Sequence, residues 1–417
     1  MRYCLVTYGS RGDVQPFIYL ALGLNARGHH TTLAAPENFQ ALVTGYGINF
    51  YPLAGDAEEI LKTPEFQEII RSGNHMAFAR LAVKTMKDKR LAILDSVLRV
   101  CKSADMIISV NPCIFYVATV AEKLNKKWVL IQLNPPMIPT REFPMLMFSF
   151  PDVKWLNRYS YTILHKILWR LQKKEYALFR ETLGLPIDKG NLFEKVINEK
   201  VPMIHAFSTE LIRRPADWSE QITIAGFFTQ PVNNNSKPKI NEGLEEWIKA
   251  GDKPLYIGFG SIPFPDTEKL SDAINDILEK TDQHIIYCRG WSDLPELQPN
   301  SRLFIIDQAD HGWLLPQCCA AVIHGGIGTI TAVLQAGIPV IVASLFVDQP
   351  AWGKIIQRRN LGVHIPWKKL SATTILNALL QVKRNPVATA IKKAHARLLK
   401  EDGINNAIAT IEAYNRS

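Results

Sequence analysis

Short β-branched and apolar runs alternate with longer stretches of helical spacing along this 417-residue chain. RYCLVTY, TTLAA, MIISV, WVLIQL and VPMIHAF in the first half read as strands, as do PLYIGFG, HIIYCRG, RLFIID, AAVIHGG and IPVIVAS in the second. PFIYLALGLNARG, MAFARLAVKTMKDKRLAILDSVLRVCK and DTEKLSDAINDILEKT read as helices between them. Strands that are apolar throughout and separated by helices predict parallel sheets covered on both faces. FFTQPVNNNSKPKINEG interrupts the pattern with Asn, Pro, Ser and Lys, which is a linker composition. The expected architecture is α/β, with two doubly wound Rossmann-like domains at 1–228 and 243–390 joined by a linker at 229–242. A last helix, 391–417, is expected to return to the first domain. Ligands of such folds sit beyond the carboxyl ends of the strands, so two facing domains would hold them in a cleft.

Composition narrows the partners. Hydrophobic content of 47% and charged content of 21% are those of a globular protein. No apolar run reaches the ~18 residues of a membrane span. MRYCLVTYGS lacks a signal-peptide layout and reads as a first strand, so the mature chain is expected to start at Met1. Cys4, Cys101, Cys113, Cys288, Cys318 and Cys319 follow neither CxxC nor disulfide-framework spacing, which fits a reducing cytoplasm. The net charge of +9 points to anionic partners. Nucleic acid is the weakest of these, since the chain has no long basic run and no zinc pattern.

The candidate chemistry concentrates in VIHGGIGTITAVLQAGIPVIVASLFVDQPAWG, Val322 to Gly353. AAVIHGG is a strand running into a turn, and TITAVLQAG is the helix that follows. Gly325, Gly326 and Gly328 allow backbone amides to approach a ligand closely. Free amides at the helix start make an anion site, to which Thr329 adds a hydroxyl and His324 a ring N–H. A pyrophosphate would fit there; a tight turn with a packed histidine is the bland alternative. The next strand delivers Asp348 and Gln349 to the same edge, where a carboxylate beside an amide suits sugar hydroxyls. Asp348 could equally serve only as a helix N-cap.

This stretch resembles the donor-binding signature of family 1 glycosyltransferases of the GT-B fold, nearest to the microbial and fungal sterol, rhamnolipid and antibiotic branch. YGSRGDVQPFIYLALGLNARGHHTTLAAP, NRYSYTILHKILWRLQKKEYALFRETLGLP, PLYIGFGSIP and IIYCRGWSDLP resemble other segments of that branch in the same order, so the resemblance spans nearly the whole chain. It implies that His324 and the amides of Gly326, Ile327, Gly328 and Thr329 hold a donor pyrophosphate. Gly260 and Ser261 would touch it from the other side, and Asp348 and Gln349 would bind the sugar. Arg289, Gly290, Trp291 and Gln308 would line the base and ribose pocket. Trp313 falls where plant relatives stack a Trp on uracil, although its spacing to His324 is shorter than theirs.

Many plant and animal relatives carry Gly-His-x-x-Pro where this chain has Gly12-Asp13-Val14-Gln15-Pro16. The resemblance thus implies Asp13 as the base that deprotonates an acceptor hydroxyl, with inversion at the anomeric carbon. Burial in a closed site would raise its pKa usefully. Read structurally, Asp13 is a good helix N-cap ahead of Pro16. Ser10 and Gly12 would accompany it on the acceptor side. His29-His30 reads as a solvated helix end. No D-x-D motif or ligand-spaced cluster occurs, so no metal and no cofactor beyond a UDP- or dTDP-sugar co-substrate is expected.

NPPMIPTREFPMLMFSFPDVKW is rich in Pro, Met and Phe, and makes Met137, Phe143 and Met147 candidate walls of an apolar acceptor pocket. KWLNRYSYTILHKILWRLQKK then places Leu156, Ile163, Ile167 and Leu171 near helical spacing with basic residues between them. That predicts a core helix with a solvated basic face; a helix resting on an anionic membrane is the alternative. The expected activity is hexosyl transfer, with glucose compatible, to a sterol, polyketide, phenolic or hydroxylated lipid. A nucleotide-sugar epimerase and a non-catalytic lipid- or sugar-nucleotide-binding protein are the rivals. An NAD-dependent oxidoreductase is disfavoured because YGSRGDV has the wrong glycine spacing.

Overall fold

Thirteen strands form among the described residues, each short, apolar and bounded by a turn or helix. The structure is a computed structural model that describes residues 1–56, 63–147, 150–230, 241–260, 264–290, 294, 297–298 and 300–416. The chain divides into two compact units. The first comprises Met1–Ile60, Ala79–Pro231 and Asp402–Ser417; the second comprises Leu61–Phe78 and Val232–Glu401.

In chain order the first sheet contains β1 (Arg2–Val6), β2 (His30–Pro36), β3 (Asn49–Leu53), β4 (Met106–Val110), β5 (Lys127–Gln132), β6 (Met203–His205) and β7 (Ile222–Ile224). Its spatial order is β3-β2-β1-β4-β5-β6-β7 and every pairing is parallel. The second sheet contains β8 (Leu255–Gly258), β9 (Ile285–Cys288), β10 (Leu303–Ile306), β11 (Ala320–Ile323), β12 (Val340–Ser344) and β13 (Gly362–Pro366), in the order β10-β9-β8-β11-β12-β13. It too is wholly parallel. Strands β4, β5, β8, β9, β11 and β12 are buried along nearly their whole length, the consequence of helices on both faces. In each unit the winding reverses beside the first strand, between β1 and β4 and between β8 and β11. Such reversals leave a crevice at the carboxyl ends of the strands.

The structure corrects several expectations. Only the helix Gly403–Arg416 belongs to the first unit, while Asn385–Leu398, which overlaps the start of the expected returning segment 391–417, stays with the second. The reason is packing: Ile404, Ala407, Ile408 and Ile411 are buried against the first helix, Arg11–Ala26. A side chain on Gly23 would stand 2.5 Å from Ile404 Cγ2, so the helices approach at a residue without Cβ. Of the two histidines expected to be solvated, His30 is exposed at the start of β2, but His29 is half-buried in the same contact: its Nε2 lies 3.1 Å from Glu412 Oε1, beside an Arg27–Glu412 ion pair. The segment read as one long helix divides into His75–Met86 and Arg90–Cys101. The helix Pro64–Ser72 joins the second unit through Phe66, whose ring packs edge-on to Phe346 at 5.3 Å.

The helix Lys154–Thr182 turns a different face inward from the one its leucines and isoleucines predict. Ile163 and Ile167 are exposed, whereas Asn157, Ser160, Tyr161, Leu164 and His165 are buried. Those inward polar groups bind the preceding segment: Asn157 Nδ2 donates to Arg141 O, Ser160 Oγ accepts from Met145 N, and His165 Nε2 meets Met137 O at 2.8 Å. Backbone hydrogen bonding thus overrides apolar periodicity here. No helix among the described residues is long and apolar enough to cross a membrane.

Candidate functional site

In the first unit, β1 leads through Thr7-Tyr8-Gly9-Ser10 into the helix Arg11–Ala26. The N-cap is Ser10, not Asp13. Asp13 lies three residues inside the helix and its Oδ2 accepts from Ser10 N at 2.8 Å and Ser10 Oγ at 3.2 Å. The carboxylate therefore folds back over the strand-end turn, a reciprocal cap geometry. Gly9 makes room for it. Its φ is +147°, and a Cβ there would lie 2.2 Å from Asp13 Oδ2. Burial pushes the Asp13 carboxyl up to about 6, against the lowering effect of the two Ser10 donors. Cys113, in the turn after β4, is pushed up by its own burial and then by the nearby charge of Asp13. Asp13 thus stands at the β1–β4 reversal.

Of the expected acceptor walls, Met137 reaches this strand-end edge, its Sδ accepting from Asn111 Nδ2 at 3.4 Å. Met137, Phe143 and Met147 all pack against a satellite cluster of Met145, Tyr161 and Leu164, and Phe143 touches the main core of the unit as well. Gly12 is exposed on the first turn of the helix, next to Ser10.

The second unit builds its edge from three strand ends. Gly260 follows β8 with φ +63°, and its Cβ position is 3.6 Å from His324 Cε1. Gly290 follows β9 with φ +54° and packs so closely on Gly260 that a Cβ would come within 2.3 Å of Gly260 O. His324 and Gly325 follow β11; Gly325 has φ +96° and its Cβ position is 3.5 Å from Gln349 Cβ. Gly326 is the N-cap of the helix Ile327–Gln335, and a side chain on it would strike His324 Nε2 at 2.5 Å. The imidazole therefore lies over the helix start, where the amides of Ile327, Gly328 and Thr329 precede the first intrahelical acceptors. Gly328 is exposed and Thr329 partly so. His324 is buried, its Nδ1 has no partner among the described residues, and burial followed by His311 pulls its pKa down to about 4. At neutral pH the ring is thus an uncharged donor or acceptor beside a helix N-terminus.

Asp348 and Gln349 follow β12 on the same edge. Gln349 is buried, and its Oε1 accepts from Leu345 N at 2.8 Å and Phe346 N at 3.2 Å, so its carbonyl braces the loop. Asp348 begins the helix Gln349–Arg358, but its side chain does not cap it; Oδ2 instead accepts from Trp352 Nε1 at 3.1 Å. Val347, just before them, has φ +59°, a left-handed conformation costly for a β-branched residue. Arg289 is exposed and pairs with Asp307 at 3.1 Å; Gln308 is exposed beyond β10. Trp313 lies in the short helix His311–Leu314, its N–H bonded to Asp310. Ser261 and Trp291 lie outside the described residues. No group of three or more His, Cys, Asp or Glu placed to hold a metal occurs among the described residues.

Sequence reasoning missed Gly9, Val347 and His311. Gly9 was visible in YGSRGDV, but the space it leaves is a tertiary matter. His311, whose Nε2 lies 3.1 Å from Tyr256 OH, had no motif around it.

Comparison with known proteins shows the family and the fold. Residues 3–126 match the glycosyltransferase family 28 N-terminal domain, and residues 273–406 match the erythromycin biosynthesis protein CIII-like C-terminal domain. Two sterol 3-beta-glucosyltransferases of Arabidopsis thaliana are 31% and 30% identical over 98% and 100% of this chain. The chain spans 64% and 68% of their own lengths. Among solved structures, the glycosyltransferase of kitacinnamycin superposes with a TM-score of 0.73 at 18% identity, over 99% of this chain and 98% of that one. The glycosyltransferase VinC in complex with dTDP gives 0.67 at 14% identity over 100% of both chains. The two parallel-sheet Rossmann-like units are those of the GT-B glycosyltransferases. The chain belongs to glycosyltransferase family 1, in the branch that includes the sterol 3-beta-glucosyltransferases.

Proposed function

We propose that the chain is an inverting O-glycosyltransferase that moves a hexose, glucose in the first instance, from a UDP- or dTDP-sugar to a hydroxyl of a hydrophobic acceptor such as a sterol. The observation that carries this reading is the matched chemistry at the two winding reversals: a raised carboxylate at one and a helix start under an uncharged histidine at the other. Family membership, the plant sterol glucosyltransferases and the dTDP complex of VinC support the classes of acceptor and donor.

In this mechanism Asp13 accepts the proton of the acceptor hydroxyl as its oxygen bonds the anomeric carbon. With a pKa near 6 it is mostly ionised at pH 7 and still basic enough to share that proton. The bond from the anomeric carbon to the diphosphate oxygen breaks on the opposite face, which inverts configuration. The amides of Ile327, Gly328 and Thr329 and the His324 ring receive the charge on the departing diphosphate. Asp348 accepts sugar hydroxyls. Gln349, whose carbonyl is engaged by Leu345 and Phe346, contributes only its amide nitrogen. These groups supply the charge stabilisation themselves, and the reaction is proposed to need neither metal nor cofactor.

Calorimetric titration with UDP, dTDP and NAD, each with and without magnesium, tests the donor half. Micromolar UDP or dTDP binding indifferent to magnesium supports the reading. Binding of NAD alone, or of no nucleotide by folded protein, removes it.

A further inference from the structure

The outward face of the helix Lys154–Thr182 is chemically unusual. Trp155, Tyr159, Ile163 and Ile167 succeed one another at intervals of four, so they form one stripe along the helix. They are 68%, 62%, 49% and 37% exposed. Large apolar side chains at helical spacing ordinarily mark the buried stripe. Here the buried stripe is filled by Asn157, Ser160, Tyr161, Leu164 and His165, which hold the loop beneath. The exposed stripe is flanked by Lys154, Arg158, Lys166, Arg170, Lys173 and Lys174, with no acidic residue from 153 to 174.

At the amino-terminal end, Arg141, Lys154, Trp155, Arg158, Tyr159 and Thr162 line a cavity of about 720 Å³. The neighbouring carboxylates are occupied by the loop itself. Asp217 accepts from Thr140 Oγ1 and Arg141 N, Glu142 from Ala216 N, and Asp152 from Asn157 Nδ2. Among the described residues none of them ion-pairs with Arg141, Lys154 or Arg158.

We propose that this face docks on an anionic lipid bilayer, with Trp155, Tyr159, Ile163 and Ile167 entering the headgroup boundary and the Arg141–Lys154–Arg158 cavity receiving a lipid phosphate. Indole and phenol rings prefer that boundary because one end is apolar and the other polar. Lysine and arginine stems cover apolar surface while their charges reach the phosphates. A second copy of this chain is the poorer occupant, since pairing the face with itself would oppose two all-basic rows. The proposal rests on this face alone, not on the reaction proposed above.

Flotation of the full chain with vesicles tests it without reference to activity. The parent chain is expected to float with phosphatidylcholine–phosphatidylglycerol vesicles, less so at high salt, and hardly at all with phosphatidylcholine alone. Trp155→Ser/Tyr159→Ser should lower the partition coefficient about tenfold or more with an unchanged thermal melt. Lys154→Glu/Arg158→Glu, at exposed polar positions, should do the same and serves should the aromatic variant fold poorly. Ile187→Ser, at an 87% exposed site elsewhere, should leave binding intact. Absence of parent binding to anionic vesicles, or binding unmoved by both double variants, overturns the proposal. So does a change of oligomeric state in the aromatic variant measured by light scattering, which would assign the face to a second copy.

Discussion

The Asp13 carboxylate occupies the space that a side chain on Gly9 would fill, with Oδ2 only 2.2 Å from the Cβ position. The turn after β1 is therefore shaped around one charge, and Ser10 supplies two donors to hold it. Gly9→Ala should push the carboxylate aside and strain a backbone at φ +147°. We expect transfer to fall about a hundredfold, as misplacement of a reacting group by about 1 Å does, while diphosphate affinity stays within about twofold. Initial rates and calorimetry on the same preparation check this.

Asp13→Asn keeps an acceptor for Ser10 but removes the base. Turnover should drop about 10²–10⁴-fold with donor affinity retained. The same variant carries a stability signature. The folded chain holds the Asp13 proton more tightly than the unfolded chain, at about 6 against 3.8, so this contribution is complete below pH 3.8 and is lost as pH rises through 6. Asp13→Asn should thus exceed the parent in stability above pH 6, by about 1–3 kcal/mol. Full activity of Asp13→Asn on an unactivated alcohol would end the base assignment.

His324 titrates in the opposite sense. Its folded pKa of about 4 lies below the ordinary 6.5, so its contribution to stability is complete above 6.5 and fades as pH falls towards 4. A diphosphate bound over the helix start should raise this pKa, visible in the titration of its ring resonances with and without UDP. His324→Ala should weaken UDP binding and turnover together, each about ten- to a hundredfold. An unchanged UDP affinity would place the diphosphate elsewhere.

Val347 carries backbone strain immediately before Asp348. Val347→Gly should relieve it and stabilise the second unit by up to about 1 kcal/mol, as glycine's greater unfolded-state entropy offsets part of the gain. If the strain aims Asp348, the variant should also lose sugar-donor affinity while keeping UDP affinity. Denaturation midpoints and paired titrations separate the two effects.

How much of this was legible beforehand differs from residue to residue. Strands such as MIISV and IPVIVAS announce themselves because burial on both faces leaves an unbroken apolar run. β3 (NFYPL), the three-residue β7 and β13 (GVHIP) were not foreseen, since all three are edge strands, which need less apolar sequence, and β3 and β13 each carry a proline. The glycines around His324 were readable as a ligand turn, yet the engagement of the Gln349 carbonyl was not, because its partners are backbone amides without sequence identity. Ile163 and Ile167 misled, since periodicity registers an apolar stripe but not which side of the helix the protein occupies.

The sequence by itself determined the local chemistry of this protein: two series of buried parallel strands, a glycine-rich helix start under a histidine, and an aspartate behind the first strand. Each depends on neighbours within a few residues, where hydrophobic period, glycine and capping preferences act directly. Tertiary structure alone decided which distant segments share a unit, as when the helix Pro64–Ser72 brings Phe66 against Phe346 and the last helix returns against Gly23. It also decided the pKa values of Asp13 and His324. Contacts across hundreds of residues and the removal of water are set by packing, and no local pattern encodes them.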